Sequence, residues 1–293
     1  MLGFSATYVK SMTLIFLPFL PGLGPWWLGL VLTTLVVGVT ITGGLVSVVR
    51  TDVMGFVDSM VILPALLFVA IWKYGGLSSL GTVFPADQLF LAPVEQWNHP
   101  DLPYWFVVSL TVLTCFTYIS SPWYGQKIFA ARDEQTAFLG VGIAALLVFL
   151  LYASVQAASA YYRLENPFLE DAQTVVPHMI TAWFPPLLRG IAFVALFLAA
   201  MTTLAGVWSD LAAMVVADFS PVRLSSVGAQ RALTLAIAIV SWAGANVLGD
   251  DILNRLILAN IPIAALSFSL LAGFHWKRTS RAGAWSSVAV GVL

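Results

Sequence analysis

Apolar runs of roughly 20 residues, the length that crosses a bilayer core, recur along the chain with short polar breaks between them. In hydrocarbon, every backbone N–H and C=O must be partnered within its own helix or within a closed sheet. The runs are continuous rather than ten-residue stretches of alternating polarity, which points to helices and excludes a membrane β-barrel. Bounded by Gly, Pro and charge, the windows fall near 1–20, 26–48, 52–73, 103–130, 136–162, 186–218, 229–248, 252–274 and 281–293. The expected fold is an all-α polytopic membrane protein with about nine transmembrane segments. The first window opens at Met1 without a polar lead and the last stops in mid-span at Leu293, so both are expected to be incomplete. Lys10 before an apolar run could mark a signal peptide, but the run ends in Pro21-Gly22-Leu23-Gly24-Pro25 with no A-x-A-like site and reads as a span.

Composition narrows the function. Only 9% of residues are charged and 60% are hydrophobic, against about 25% charged in a soluble domain. A net charge of −1 points to no nucleic-acid partner. Cys115 is the single cysteine, which excludes an internal disulfide framework and a cysteine-cluster metal site. His99, His178 and His275 lie apart, with no pair at ligand spacing, which argues against zinc.

The connections set an orientation. Alternate ones carry Arg50; Lys127 and Arg132; Arg223 and Arg231; Lys277, Arg278 and Arg281. The others carry Asp87, Glu95, Asp101, Glu165, Glu170, Asp171, Asp250 and Asp251, with Lys73, Arg163 and Arg189 near span edges. The positive-inside rule places the first set in the cytoplasm. Trp26, Trp27, Trp72, Tyr104, Trp105, Trp183 and Trp276 near span ends fit interfacial belts. The long outer connection 74–102, with Trp97-Asn98-His99-Pro100, is expected to be a solvated loop rather than a lid.

Polar residues inside spans are the candidates for chemistry. Ala199, Thr202 and Thr203 are spaced i, i+3, i+4 and share one helical face. A small residue admits another backbone, and hydroxyl oxygens suit a hard cation. The same hydroxyls can instead bond back to carbonyls one turn earlier and only pack. Around Pro122 gather Thr114, Thr117, Tyr118, Ser120, Ser121 and Trp123. Proline removes a backbone bond, and interrupted helices hold substrates in some transporters; a plain kink satisfied by Ser120 and Ser121 is the simpler account. Asp58 and Asp210 stand at or inside span boundaries, where a carboxylate needs a partner or water.

Four stretches together resemble the sodium:solute symporter family, sodium-coupled carriers of sugars, proline, pantothenate and related solutes with the LeuT-type fold. Thr42-Gly43-Gly44-Leu45 with Val49-Arg50-Thr51-Asp52-Val53 is similar to the family's motif at the inner start of the fifth core helix. Gly125-Gln126-Lys127-Ile128-Phe129-Ala130-Ala131-Arg132-Asp133-Glu134 is similar to the stretch following the sixth. Arg189-Gly190 with Ala199-Ala200-Met201-Thr202-Thr203-Leu204 matches the eighth. Gly273-Phe274-His275-Trp276-Lys277-Arg278-Thr279 with Gly283-Ala284 matches the end of the tenth. In this order and spacing they cover nearly the whole chain.

The resemblance implies a partial LeuT-type inverted-repeat bundle: residues 1–293 as one transmembrane transporter domain carrying core helices three to eleven, the first two core helices absent. It implies that Ala199, Thr202 and Thr203 help bind the coupling sodium. Asp52 matches the acid near the inner sodium exit, with a helix N-cap as the structural alternative. Thr117 and Tyr118 match positions that line the family's substrate cavity, and Thr114 and Ser121 beside them are further candidates for it. Asp210 stands where the family does not usually have an acid and is an open functional candidate. Arg50 and Gly55 depart from the family's usual Trp and Gln and suggest an outlying branch. The implied function is sodium-coupled symport of a small organic solute across the cell (inner or plasma) membrane, with no catalysis and no cofactor beyond the coupling ion. The implied partners are the solute, sodium and lipid bilayer. Two alternatives are a transporter-like sensory module of a signalling protein and a non-transporting remnant. With the first core helix absent, residues 1–293 alone are expected not to transport, because three oxygens are fewer than a hard cation usually collects.

The orientation has a direct check. With Cys115 replaced by Ser, Asp52→Cys should react with a membrane-impermeant thiol reagent from the cytoplasmic face. Labelling from outside together with protection inside would reverse the topology.

Overall fold

The computed structural model of this 293-residue chain describes all residues except 21, 77–103, 167, 170, 220–225, 248–250 and 293. The expected loop at 74–102 therefore lies almost wholly outside the described residues. The helices are α1 (Leu2–Phe16, continued by a 3-10 turn Leu17–Phe19), α2 (Pro25–Lys73), α3 (Tyr104–Ser120), α4 (Pro122–Phe129), α5 (Glu134–Glu165), α6 (Val175–Trp183), α7 (Pro186–Phe219), α8 (Val227–Val247), α9 (Ile252–His275) and α10 (Arg281–Val292). No strand occurs among the described residues. Seven stretches among them are long and apolar enough to cross a membrane, and Tyr104–Ser120 is a shorter apolar helix.

Two differences from the sequence expectation are informative. The turn expected around Arg50 is absent: α2 is helical for 49 residues, and Thr51-Asp52 lies inside it rather than opening a new helix. No proline interrupts 42–52, so every backbone donor there is present, through Arg50-Thr51-Asp52 as well. Gly43 and Gly44 cost only about 1 kcal/mol each relative to Ala, less than leaving backbone groups unpaired in an apolar setting. At 1.5 Å per residue the helix measures about 74 Å, beyond the 40–45 Å of a membrane with its headgroups. It holds two apolar windows, Pro25–Thr42 and Val49–Lys73, and the Arg50–Asp52 stretch lies at the start of the second. The second difference is α6, which the span windows pass over. It is too short to cross a membrane but buries Val175, Met179 and Ile180 on one face.

The chain divides into two compact units: Met1–Ala70 with Ala130–Arg255, and Ile71–Phe129 with Leu256–Leu293. In the first, one cluster joins Val9 and Met12 of α1, Leu32 and Val36 of α2, Leu204 and Trp208 of α7, and Ala238 of α8. A second joins Ile62 and Leu66 of α2 to Tyr162 of α5, Met179 of α6 and Phe193 of α7. Ascending positions on α2 thus meet descending positions on α7, so these two helices run antiparallel. Trp208 has no exposed surface, and its Nε1 donates to Ser241 Oγ at 3.2 Å. The Ser5 and Ser241 hydroxyls lie 2.7 Å apart, tying α1 to α8. By contrast α5 is mostly exposed, with Phe138, Phe149 and Tyr152 outward, as a lipid-facing helix requires.

In the second unit, Ser120 Oγ donates to Ile263 O at 2.6 Å, linking α3 to α9. A Cβ on Gly291 would stand 2.8 Å from that of Ala265, so glycine permits the close approach of α10 to α9. Ser269 and Ser287 share a hydroxyl contact at the same interface.

Packing around Trp208 generates a stability contrast. Trp208→Ala should cost about 3–5 kcal/mol in detergent unfolding. Trp72→Ala, 79% exposed, should cost under about 0.5 kcal/mol. Equal losses would show that the helices do not pack around Trp208.

Candidate functional site

The hydroxyl pair on α7 is built around one carbonyl. Thr202 Oγ1 donates to Ala199 O at 3.3 Å and Thr203 Oγ1 donates to the same oxygen at 2.9 Å. Three oxygens therefore converge within one helical turn. A hydroxyl that donates its proton to the helix still presents its lone pairs outward, so the back-bonded arrangement leaves ligand capacity in place. Thr202 is buried, Thr203 is half-buried and Ala199 is exposed, so the turn lies between the packed core and an open face.

Gly55 of α2 sets what stands opposite. A Cβ there would come 2.9 Å from Leu198 Cβ and 3.5 Å from Ala199 N. Only glycine lets the α2 backbone reach the turn that carries the oxygens. Asp52, half-buried, lies three residues before Gly55 and on the same face of α2. On antiparallel neighbours, one turn back from Gly55 corresponds to one turn beyond Ala199, the level of Thr202 and Thr203. The sequence marks Gly55 only as a departure from a pattern; its role is visible only once α7 is beside it. Asp210 is 2% exposed and lies two turns beyond Thr203 on α7.

The other candidates lie in the second unit. The helix breaks at Ser121: α3 ends at Ser120 and α4 starts at Pro122. Pro122 has no N–H, so the carbonyl of Tyr118, four residues back, receives no helical bond from it. Thr114, Thr117 and Ser121 share one face of α3, and their hydroxyls donate to Leu110 O, Leu113 O and Thr117 O at 2.7, 2.8 and 2.6 Å. Thr117 and Ser121 are buried. Tyr118 is exposed, its ring 4.7 Å from that of Tyr124, which in turn lies 5.6 Å from Trp123. An open groove of about 720 Å³ runs along a different face of α3, past Val112 and Phe116, to Phe268 and Val290, and is almost wholly apolar. The hydroxyl face and the groove are thus distinct features of one helix.

Several residues in or beside the motifs prove to be helix-end devices. Arg189 donates from Nη2 to Thr181 O at 2.6 Å and Phe184 O at 3.2 Å, closing the C-terminus of α6. Asp133 caps α5, accepting from Thr136 N at 2.7 Å. Hydrogen bonds from Thr136, then Arg132, hold its carboxyl below the ordinary Asp value. Ser280 caps α10 through Gly283 N at 3.1 Å. Among the described residues, no group of three His, Cys, Asp or Glu could hold a metal ion.

Comparison with known proteins agrees with this architecture. The sodium/pantothenate symporter of Haemophilus influenzae is 23% identical over 274 residues, covering 90% of this chain and 56% of that protein. The sodium/pantothenate symporter of Escherichia coli K12 is 25% identical over 265 residues, covering 86% and 54%. The chain thus spans little more than half the length of these curated relatives. Among solved structures, a sodium-coupled sialic acid symporter, captured substrate-bound in an outward-open state, superimposes with a TM-score of 0.68. That match has 18% identity and covers 99% of this chain and 72% of the other; it establishes the LeuT-type helical fold. The sequence matches the sodium:solute symporter family over residues 26–291. The chain is a multi-pass membrane protein that belongs to the sodium:solute symporter family, a family of transporters rather than enzymes.

Proposed function

We propose that this chain forms part of a sodium-coupled symporter that moves a small polar organic solute across the cell membrane by alternating access. The convergence of Thr202 and Thr203 on the carbonyl of Ala199 supports it most directly. Hydroxyl and carbonyl oxygens are the ligands a hard cation prefers. Gly55 brings α2 against that turn and Asp52 to its level, supplying negative charge at the edge of the site without placing a carboxylate among the oxygens. Sodium is cargo in this scheme: it binds the α7 oxygens from one side, and the same oxygens open to the other.

The proposed solute contacts are Thr114, Thr117 and Ser121, with Tyr118 as an aromatic wall and its carbonyl as an acceptor released by Pro122. Hydroxyls of this kind suit a hydroxylated or carboxylated molecule, and pantothenate and sialic acid, carried by its relatives, are the first probes. Because Tyr118 is exposed, its ring is available to a solute at the helix break.

The experiment is sodium-driven uptake by the protein expressed whole from its gene and reconstituted in vesicles. Thr203→Ala should raise the sodium half-saturation by about tenfold, the loss of one ligand to a charge. Gly55→Val, which pushes α2 off the Ala199 turn, should raise it comparably while the protein still inserts. Uptake indifferent to sodium, or an unchanged half-saturation in Thr203→Ala, would refute the assignment.

A further inference from the structure

We propose that Asp210 is a relay carboxylate for the coupling cation, standing between the Thr202–Thr203 oxygens and the cytoplasm. The inference rests on the sodium-coupled reading above.

Three features of α7 carry it. Thr203, Gly206 and Asp210 are spaced i, i+3, i+7, so they follow one helical face, and the last lies about 10.5 Å further along the axis. Exposure falls along that face: Ala199 is exposed, Thr203 and Gly206 are half-buried, and Asp210 is 2% exposed. The face is open beside the hydroxyls and closes over the carboxylate. Between them, apart from the helix's own adjoining residues and backbone, no atom lies within 4 Å of where a Gly206 Cβ would stand, so no facing helix blocks the step from hydroxyl to carboxylate at that point.

Chemistry gives the direction. The end of α7 beyond Asp210 leads to Arg223 and Arg231, the side that the basic residues assign to the cytoplasm. A carboxylate inside a span is costly and marks ion pathways more often than packing. Neutral oxygens at Ala199, Thr202 and Thr203 hold a cation weakly, and a charged oxygen one step inward draws it off. Asp52 stands at the level of the hydroxyls on the facing helix, so the two carboxylates act at successive depths rather than at one site. Conduction needs each station to hold an ion well enough to receive it and weakly enough to release it. A single carboxylate at the closed end of the face meets that need.

The test uses sealed, right-side-out vesicles containing the whole protein, with labelled sodium as the probe and exchange measured as sodium is varied on each face separately. Asp210→Asn should raise the internal half-saturation about fivefold or more while shifting the external one less than about twofold. Asp210→Glu, which keeps the charge, should stay near the parent on both faces. Where Asp210→Asn fails to reach the membrane, Asp210→Ser is measured in the same way. Equal shifts on both faces, the mark of a merely structural residue, or no internal shift would overturn the relay. A parent protein that exchanges no sodium would overturn the sodium-coupled reading itself.

Discussion

Inside hydrocarbon, a polar group that loses its partner finds no water to replace it. Much of this structure follows from that constraint. Thr13, Thr40, Thr114 and Thr117 all donate to the carbonyl four residues earlier, at 2.7–2.8 Å, rather than across an interface. The backbone of α2 stays helical through Gly43-Gly44 and Arg50, because a turn there would expose carbonyls that nothing nearby could satisfy. Among the described residues, Pro64 and Pro262 sit inside helices that continue past them, whereas the helix breaks between Ser120 and Pro122. There Ser121 O accepts from Tyr124 N and Gly125 N at 3.2 and 3.3 Å, so even the break is partly repaired.

Span windows were legible in the sequence because length and hydropathy act over 20 residues and tolerate local exceptions. The window 186–218 corresponds to the helix Pro186–Phe219, and 252–274 to Ile252–His275. Local signals misled where they were read as boundaries. Arg50, Thr51 and Asp52 look like a charged turn followed by a cap, yet all three keep their backbone donors and the helix runs through them. Helix α6 escaped for the opposite reason: it is shorter than a span, and its apolar face shows only as Val175, Met179 and Ile180.

The candidate site was legible in part. The i, i+3, i+4 spacing of Ala199, Thr202 and Thr203 placed three oxygens on one turn without any coordinates. What a sequence cannot show is which helix meets that turn. Gly55 is an ordinary glycine in an apolar run until a Cβ is imagined 2.9 Å from Leu198. The family-like motifs are conspicuous for a different reason. Arg189 and Asp133 hold helix ends, so part of the resemblance reflects how such bundles are terminated rather than what they carry.

Helix α7 serves two demands at once. One side is fixed: Leu204 and Trp208 are without exposed surface, and Trp208 is hydrogen-bonded across to α8. The other side carries the oxygens that a cation would visit. A site that fills and empties in every cycle must not be left with orphaned polar groups when it is empty, since each would cost a desolvation penalty. Here the hydroxyls of Thr202 and Thr203 have a partner in Ala199 O without any ion, and a cation approaching their lone pairs need not take that partner away. In the sodium-coupled reading proposed above, back-bonding and ion binding are two states of one arrangement rather than rival accounts of the same residues. In that reading the carbonyl that serves both states would keep the free-energy difference between them small, and a small difference is what reversible coupling across a membrane requires.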